Sequence, residues 1–278
     1  MIESGEPQAS GDAAEPAPGT RRIGELHLPP PPWVVAHRGA SGERLENTVE
    51  SCWLAVEAGA PMLEIDVQLA TDDQLVVFHD QDLVRLGGGD QRVVERMTTA
   101  ELAAVELALV RDDSPTGEPL RGRAPSLSEL LAALPSDFPI DVELKRFDAS
   151  QSWLVRGVAE AIAERRNVLV SSFDWMALAY VRVVLPHLPV APIESRRPDA
   201  VLEAAAKLDA WSIHVHRRLA SAELVAAARA AGRPLLVYTV NDAAEARELF
   251  DLGVAGVFSD YPAKLLRELE LAPPASLP

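Results

Sequence analysis

Residues 63–80 read LEIDVQLATDDQLVVFHD, and this stretch decides the fold. Apolar residues stand at positions 63, 65 and 67, and the carboxylates Glu64 and Asp66 stand between them. Successive side chains of a strand point to opposite faces, so one face of this strand is apolar and the other is charged. Parallel strands covered by helices are ordinarily apolar on both faces. The charged face therefore predicts a strand that packs under helices and turns its acids into a barrel.

A second strand repeats the pattern in residues 140–145, which read IDVELK. Asp141, Glu143 and Lys145 share its polar face. Glu64, Asp66 and Glu143 together offer the oxygen ligands that a hard divalent cation such as Mg²⁺ or Ca²⁺ prefers. Charges removed from water are costly unless they are paired or bind a metal.

Two alternative interpretations of these residues remain. In the first, Lys145 and Arg38 pair with the acids in a purely structural network. In the second, which concerns Asp141 alone, this deeper residue is a buried hydrogen-bonding group without a catalytic role.

Strand-like and helix-like runs alternate along the rest of the chain. The strand-like runs are 33–36, 62–69, 140–144, 168–172, 188–192, 211–215, 234–240 and 255–259. The helical runs are 49–58, 153–166, 175–185, 199–208, 222–231 and 243–252. Eight strands alternating with helices predict a (β/α)₈ TIM barrel, with an open doubly wound sheet as the alternative.

An insertion interrupts this alternation after the second strand. Residues 75–78 form the returning arm of a hairpin, and residues 83–134 are too long for an ordinary connection. We expect this insertion, with a short helix near 99–105, to cover one face of the barrel. The barrel domain is predicted at 31–268, between a disordered Pro- and Gly-rich tail at 1–30 and a frayed end at 269–278.

Bulk properties limit the partners. The net charge of −16 over 278 residues argues against binding to nucleic acid or anionic membranes. Cys52 stands alone, so no disulfide framework exists. Neither a secretory signal nor an apolar run long enough to span a bilayer is visible, which predicts a cytoplasmic protein. The oligomeric state is left open.

Two histidines follow strand-like runs. His37 ends the first strand, and His79 ends the hairpin arm. Two histidines in such positions, with acids between them in sequence, indicate acid–base chemistry near neutral pH. Asp80 either orients an imidazole or is an exposed turn residue. Arg38 and Lys145 are donors suited to a phosphate.

These residues resemble the motifs of the glycerophosphodiester phosphodiesterase family. The ordered set covers about residues 33–263, and it is far more specific than any of its members. The matching pieces are HRG (37–39), ENT (46–48), EIDV (64–67), VVFHD (76–80), VELK (142–145), SSF (171–173), YTVN (238–241) and SDYP (259–262).

The resemblance implies a TIM-barrel hydrolase that cleaves glycerophosphodiesters into glycerol 3-phosphate and an alcohol, through a cyclic phosphate. It implies that His37 and His79 are the acid–base pair, without deciding which is the initial base. The remaining implied roles are metal ligation by Glu64, Asp66 and Glu143, with Glu46 a ligand or close to the metal, and phosphate contacts by Arg38 and Lys145.

Some positions depart from the family pattern. Asp73 stands where the hairpin turn commonly has glycine, and Leu86 replaces a frequent threonine. Tyr238 replaces a common tryptophan, and we expect it to line the pocket beside the substrate. His214 and His216 share a strand face, and their roles as filler or as substrate contacts are left open.

Two other functions remain as alternatives. A lysophospholipase D acting on lipid-bearing phosphodiesters would use the insertion as an apolar groove. A non-catalytic barrel that only binds a phosphorylated ligand would have no need of two proton-transfer groups.

Overall fold

The computed structural model describes residues 26–113, 117–145 and 151–271. Its strands, numbered in chain order, are β1 Trp33–His37, β2 Met62–Leu69, β3 Leu75–Val77, β4 Leu107–Leu109, β5 Leu120–Gly122, β6 Ile140–Leu144, β7 Val168–Ser172, β8 Val190–Glu194, β9 Ile213–His216, β10 Leu235–Tyr238 and β11 Gly256–Ser259. Eight of them, β1, β2 and β6 to β11, are parallel and consecutive neighbours, and β1 also pairs with β11. This closure confirms the predicted barrel and rules out the open sheet.

A helix follows each barrel strand, directly or after the insertion. The helices are α1 Val49–Glu57, α2 Thr99–Ala103, α3 Leu127–Ala133, α4 Gln151–Ala161, α5 Trp175–Val184, α6 Pro198–Lys207, α7 Ala222–Ala230, α8 Ala243–Leu252 and α9 Pro262–Glu268. The sequence prediction missed α3 and α9. A capping box marks the start of α3, where Ser126 and Glu129 each bond the other's backbone N–H, and this signal was readable in the sequence.

The alternating pattern of β2 has the predicted consequence. Leu63, Ile65 and Val67 are fully buried in the layer between barrel and helices. Their polar neighbours point into the barrel. Strand β8 begins two residues later than predicted, because the N–H of Leu188 bonds back to the carbonyl of Leu185 and still closes the turn after α5.

The lower end of the barrel interior is apolar. A buried cluster fills it, formed by Trp33, Val35, Met62, Leu236 and Phe258. Leu26 and Leu28 pack against this cluster, and the N–H of His27 donates to Asn167 Oδ1 at 3.0 Å. Residues 26–30, assigned above to the tail, therefore lie against the barrel. Residues 1–25 and 272–278 lie outside the described residues.

The hairpin and the insertion form a second apolar unit over the carboxyl ends of the strands. Asp73 takes the left-handed backbone conformation, with φ 58°, which glycine adopts at lower cost. Leu86 is buried in the insertion's own core, together with Leu83, Leu102 and Leu107. The insertion also contains the two-stranded sheet of β4 and β5, and its helix ends at Ala103, two residues before the predicted limit.

Candidate active site

The polar faces of β1, β2 and β6 meet inside the upper half of the barrel. Because the strands are staggered, His37 at the end of β1 lies beside Glu64, and Asp66 lies beside Glu143. A pocket opens here, and its lining includes His37, His79, Glu64, Glu143 and Lys145. The sequence prediction therefore placed these residues at the correct end of the barrel.

Three carboxylates form one buried group. Glu64, Asp66 and Glu143 each present an oxygen within 4.8 Å of the others. Glu64 Oε2 accepts the backbone N–H of Arg38 at 3.0 Å, whereas Glu64 Oε1 is buried without a hydrogen-bond partner among the described residues. An all-oxygen set with an unpartnered buried carboxylate oxygen fits a hard divalent cation.

Electrostatics make this group different from ordinary surface acids. Burial, followed by the charges of Asp66 and Glu143, raises the pKa of Glu64 well above its usual value. Burial also acts to raise the pKa of Asp66, but Lys145 and Arg38 outweigh it and hold that pKa well below the usual range. The site therefore keeps a fixed negative charge on Asp66 and gains from an added cation.

Lys145 and Arg38 both contact the carboxylates. Lys145 Nζ lies 3.1 Å from Asp66 Oδ1 and is also paired with Glu143 Oε1, and Arg38 Nε lies 3.1 Å from Asp66 Oδ2. The ion pairs of the alternative structural network therefore exist. Among the described residues they leave Glu64 without a cationic side-chain contact, so these two cations are not enough to pair all three acids.

Glu46 lies apart from the three-carboxylate group. Its Oε1 accepts from Arg38 Nη1 at 2.9 Å, and Arg85 binds both of its oxygens at 2.7 Å. After burial, which acts in the opposite direction, the hydrogen bond from Arg85 is the main cause that lowers the pKa of Glu46. In this arrangement Glu46 holds two arginines beside the site.

His79 is oriented by its neighbour in sequence. Its Nδ1 lies 2.6 Å from Asp80 Oδ1, and Asp80 Oδ2 accepts from Arg85 Nε at 2.7 Å. Of the two roles considered for Asp80, the structure shows the orienting one. With Nδ1–H donated to the carboxylate, the tautomer of His79 places the ring's lone pair on Nε2.

His37 is oriented by a residue far away in sequence. Its Nδ1 lies 2.8 Å from Asp260 Oδ1, directly after β11. Asp260 also accepts from Ser41 Oγ at 3.1 Å, Asn241 Nδ2 at 2.9 Å and Arg111 Nη2 at 3.3 Å. The sequence prediction did not assign Asp260, although it lies in the SDYP motif immediately after a barrel strand.

The backbone conformation explains why the HRG motif contains glycine. Arg38 has φ 58° and Gly39 has φ 79°, both in the left-handed region. A Cβ at position 39 would approach Ser51 Oγ to 2.5 Å and the Ser51 backbone to 2.6 Å. Glycine is therefore required for this turn to pass α1, and the turn aims the N–H of Arg38 at Glu64.

Tyr238 lines the pocket, as the resemblance predicted. Its hydroxyl donates to the carbonyl of Glu194 at 3.1 Å, and its ring contacts Phe173 and His216 edge-on, with centroids 6.1 and 5.7 Å away. His216 Nδ1 accepts the N–H of Arg218, so this histidine starts a 3₁₀ turn at the rim. His214 is buried at the inner end of the pocket.

The fold and the site define a barrel hydrolase with two carboxylate-supported histidines beside a carboxylate group and two cations. The model of the glycerophosphoryl diester phosphodiesterase family matches residues 37–264, and the chain belongs to this family. It is accordingly a phosphoric diester hydrolase acting on glycerophosphodiesters.

Curated relatives share most of this chain. It is similar to a glycerophosphodiester phosphodiesterase of Caldanaerobacter subterraneus subsp. tengcongensis, with 29% identity over 84% of this chain and 96% of the relative. It is also similar to lysophospholipase D GDPD1 of Homo sapiens, with 26% identity over 83% of this chain and 84% of the relative.

Solved structures of phosphodiesterases share this fold. An Oleispira antarctica phosphodiesterase, determined in complex with the product sn-glycerol-3-phosphate, is 30% identical with a TM-score of 0.77, covering 86% of this chain and 97% of that chain. A Thermotoga maritima glycerophosphodiester phosphodiesterase is 26% identical with a TM-score of 0.70, covering 88% and 99%. Among the described residues, no helix has the length and apolar character to cross a membrane.

Proposed function

We propose that the protein hydrolyses water-soluble glycerophosphodiesters to sn-glycerol 3-phosphate and an alcohol, with His37 and His79 as the acid–base pair and a divalent cation at the carboxylate group. One observation carries the proposal: both histidines line the same pocket as Glu64, Glu143 and Lys145. The O. antarctica relative, which contains sn-glycerol-3-phosphate as its product, supports the assignment of the product.

The cation would be held by Glu64, Asp66 and Glu143, whose oxygens lie within 4.8 Å of one another. Hard oxygen donors favour Mg²⁺ or Ca²⁺ over softer metals. When bound, the ion supplies positive charge beside the phosphoryl oxygens, where negative charge grows during the reaction. Arg38 and Lys145 line the same pocket and add donors for the phosphate.

In the first step, one histidine takes the proton of the glycerol C2 hydroxyl through Nε2. The freed oxygen attacks phosphorus, and the bond from phosphorus to the leaving alcohol breaks. The other histidine gives its proton to the departing oxygen. The nucleophile belongs to the substrate itself, so the attack gains from proximity. The products of this step are the alcohol and a cyclic glycerol phosphate.

In the second step, water opens the cyclic phosphate and the two histidines exchange roles. The histidine that gave its proton now takes one from water, and its partner protonates the C2 oxygen as its bond to phosphorus breaks. Asp80 and Asp260 each hold an Nδ1–H throughout, at 2.6 and 2.8 Å, so that each Nε2 can carry the moving proton. Both imidazoles end in their starting states.

The direct test measures release of glycerol 3-phosphate from glycerophosphocholine. The protein is treated with EDTA, dialysed, and assayed alone and after restoring Mg²⁺ or Ca²⁺. We expect release only with a restored cation. Release that persists at full rate without any divalent cation contradicts the metal assignment, and no release with either cation contradicts the assigned reaction.

A variant of Glu64 tests cation binding separately from the catalytic reaction. Glu64→Gln removes one charged ligand, so we expect calorimetric titration to show at least about tenfold weaker cation binding. Glu203→Gln is the matched control, because Glu203 is an exposed residue paired with Lys207 on α6. Equal affinity in wild type and Glu64→Gln would contradict the proposed ligand set.

A further inference from the structure

The inner end of the pocket contains polar groups that the proposed reaction does not use. Asp141, Ser171 and His214 line it, below the level of Glu143 and Lys145. Asp141 lies two residues before Glu143 on β6 and pairs in register with Glu64. All three are almost completely buried, with exposures of 0, 0 and 1%.

Asp141 is the least satisfied of these groups. Burial raises the pKa of Asp141, and the nearby Ser171 hydroxyl acts in the opposite direction. Neither Asp141 oxygen nor the Ser171 hydroxyl makes a hydrogen bond of good geometry among the described residues. Leaving a buried polar group without a good hydrogen bond destabilises the fold. Such groups are exceptions in folded proteins, and a ligand that supplies the missing partner is one physical explanation.

His214 does not supply that partner. Its Nδ1 is 3.5 Å from Asp141 Oδ2, which is too long for a good hydrogen bond, and its Nε2 is bonded to Ser212 Oγ at 2.9 Å. Burial lowers the pKa of His214 to about 3, so the ring is neutral near pH 7. The ring therefore gives Asp141 neither a strong hydrogen bond nor a balancing charge.

The residues that line the inner end indicate which part of the substrate it accepts. Ile193 and Phe258 line the pocket beside these polar groups, and the apolar cluster that includes Phe258 fills the barrel below. Because the leaving alcohol varies between glycerophosphodiesters, we place it toward the solvent, and we place the small, constant glycerol half at the inner end. With C3 on the phosphate and C2 carrying the nucleophile, only the C1 hydroxyl remains as a donor.

We infer that Asp141, Ser171 and His214 form a subsite that recognises the C1 hydroxyl of the glycerol half. This inference rests on the proposed function and specifies its substrate class. A carboxyl group accepts a hydroxyl hydrogen bond in either protonation state, so the contact does not depend on the charge of Asp141. The Ser171 hydroxyl is a second partner for the same group.

The subsite also selects against lipid-bearing substrates. An acyl chain on C1 removes the hydroxyl donor and is far too large for an inner end closed by Phe258 and the apolar cluster below it. A site built around a substrate hydroxyl discriminates strongly against an analogue without it, because its buried polar groups are left unpaired. Deacylated glycerophosphodiesters are therefore preferred over lysophospholipids.

The experiment compares three phosphocholine substrates at saturating cation. They are glycerophosphocholine, its analogue with hydrogen in place of the C1 hydroxyl, and lysophosphatidylcholine. We expect wild-type kcat/KM to fall by about 10- to 100-fold for the analogue, the effect of one hydrogen bond to a carboxyl group. Lysophosphatidylcholine should be hydrolysed more slowly still.

Variants show whether the preference comes from the subsite. In Asp141→Ala the preference for glycerophosphocholine over the analogue should largely disappear, and turnover of the analogue itself shows that the variant is folded and loaded. Ser171→Ala should reduce the preference by a smaller factor. Ser172→Ala is the matched control, because its hydroxyl instead bonds the Leu144 carbonyl and the Asp174 N–H.

The outcomes are distinguishable. Equal kcat/KM of the wild type for glycerophosphocholine and the analogue overturns the subsite and leaves the proposed function intact, as does a full preference retained in Asp141→Ala. Hydrolysis of lysophosphatidylcholine alone contradicts both the subsite and the proposed substrate class.

Discussion

The two histidines of the pocket are supported in opposite ways. His79 is held by the adjacent Asp80, which Arg85 fixes from five residues further on. His37 is held by Asp260, 223 residues away, which in turn is bonded by Asn241 and by Arg111 of the insertion. The first support is local, whereas the second joins the first strand, the last two βα connections and the insertion.

This difference shows how barrel closure orients a histidine of the pocket. Asp260 reaches His37 because β1 pairs with β11, so the orientation of His37 depends on the closed barrel. The support of His79 comes from the hairpin and the start of the insertion, and does not require the pairing of β1 with β11. The side chain of His37 is also less exposed, at 17% against 31% for His79.

Replacing either histidine should have the largest effect. We expect His37→Ala and His79→Ala each to lower kcat by about 10²–10⁴-fold, the usual contribution of a general acid or base. The kcat of the double variant should be only slightly lower than that of the less active single variant, because the two groups act as a unit. Cation binding by calorimetry is the control and should be unchanged. Effects that simply multiply would show that the histidines act independently.

Replacing the orienting carboxylates tests the comparison itself. Asp260→Asn and Asp80→Asn should each lower kcat by about 100-fold with a smaller change in KM, because an amide no longer holds the productive tautomer. We expect Asp260→Asn also to lower the thermal midpoint more than Asp80→Asn, since Asp260 joins Ser41, Asn241 and Arg111. The reverse order of midpoints would contradict the long-range role assigned to Asp260.

The arginines behind these carboxylates should have smaller effects. Arg111→Ala removes a 3.3 Å contact to Asp260, and we expect about a tenfold lower kcat with little change in KM. Arg85→Ala should lower kcat further than Arg111→Ala does, because Arg85 also binds both oxygens of Glu46. Arg121→Ala is the matched control within the insertion, since Arg121 pairs with the exposed Glu106 and has no contact to Asp260 or Glu46 among the described residues. If Arg121→Ala lowered kcat as much as Arg111→Ala does, the loss of kcat would come from a less stable insertion and not from the contact with Asp260.

The smallest effect concerns stability in acid. Burial acts to raise the pKa of Asp80, but hydrogen bonds from His79 and Arg85 lower it to about 2. Against about 3.9 in the unfolded chain, this shift stabilises the fold above that pH and is lost as the pH falls toward 2. Asp80→Asn should therefore flatten the decline of the thermal midpoint between about pH 4 and 2. An unchanged slope would show that the shift contributes nothing.

Periodicity explains why much of the site was predictable. Alternation within β2 and β6 is a local property, so Glu64, Asp66, Glu143 and Lys145 could be assigned to the inner face from the sequence. The orienting role of Asp80 was also considered, because it adjoins His79. Parallel strands present their carboxyl ends at one rim, which brought these separate segments together.

What the sequence could not provide were contacts set by closure and by the insertion. Nothing local in SDYP indicates that Asp260 bonds His37, since the pairing follows from the meeting of β1 and β11. Arg111 lies in a segment without a periodic pattern, and its contact with Asp260 depends on how the insertion folds. Whether Glu46 binds a metal or arginines was likewise beyond the motif, because Arg85 approaches it from the insertion.

The apolar filling at the lower end of the barrel has a kinetic consequence. Trp33, Met62 and Leu236 fill the interior there, and Leu26 and Leu28 pack against them, so substrate and products share one mouth. If the proposed subsite binds the glycerol half innermost, we expect the alcohol to depart before glycerol 3-phosphate. An ordered release of this kind would make glycerol 3-phosphate a competitive product inhibitor and the alcohol a noncompetitive one. Accumulating glycerol 3-phosphate would then restrain the enzyme by occupying the free form that the substrate needs.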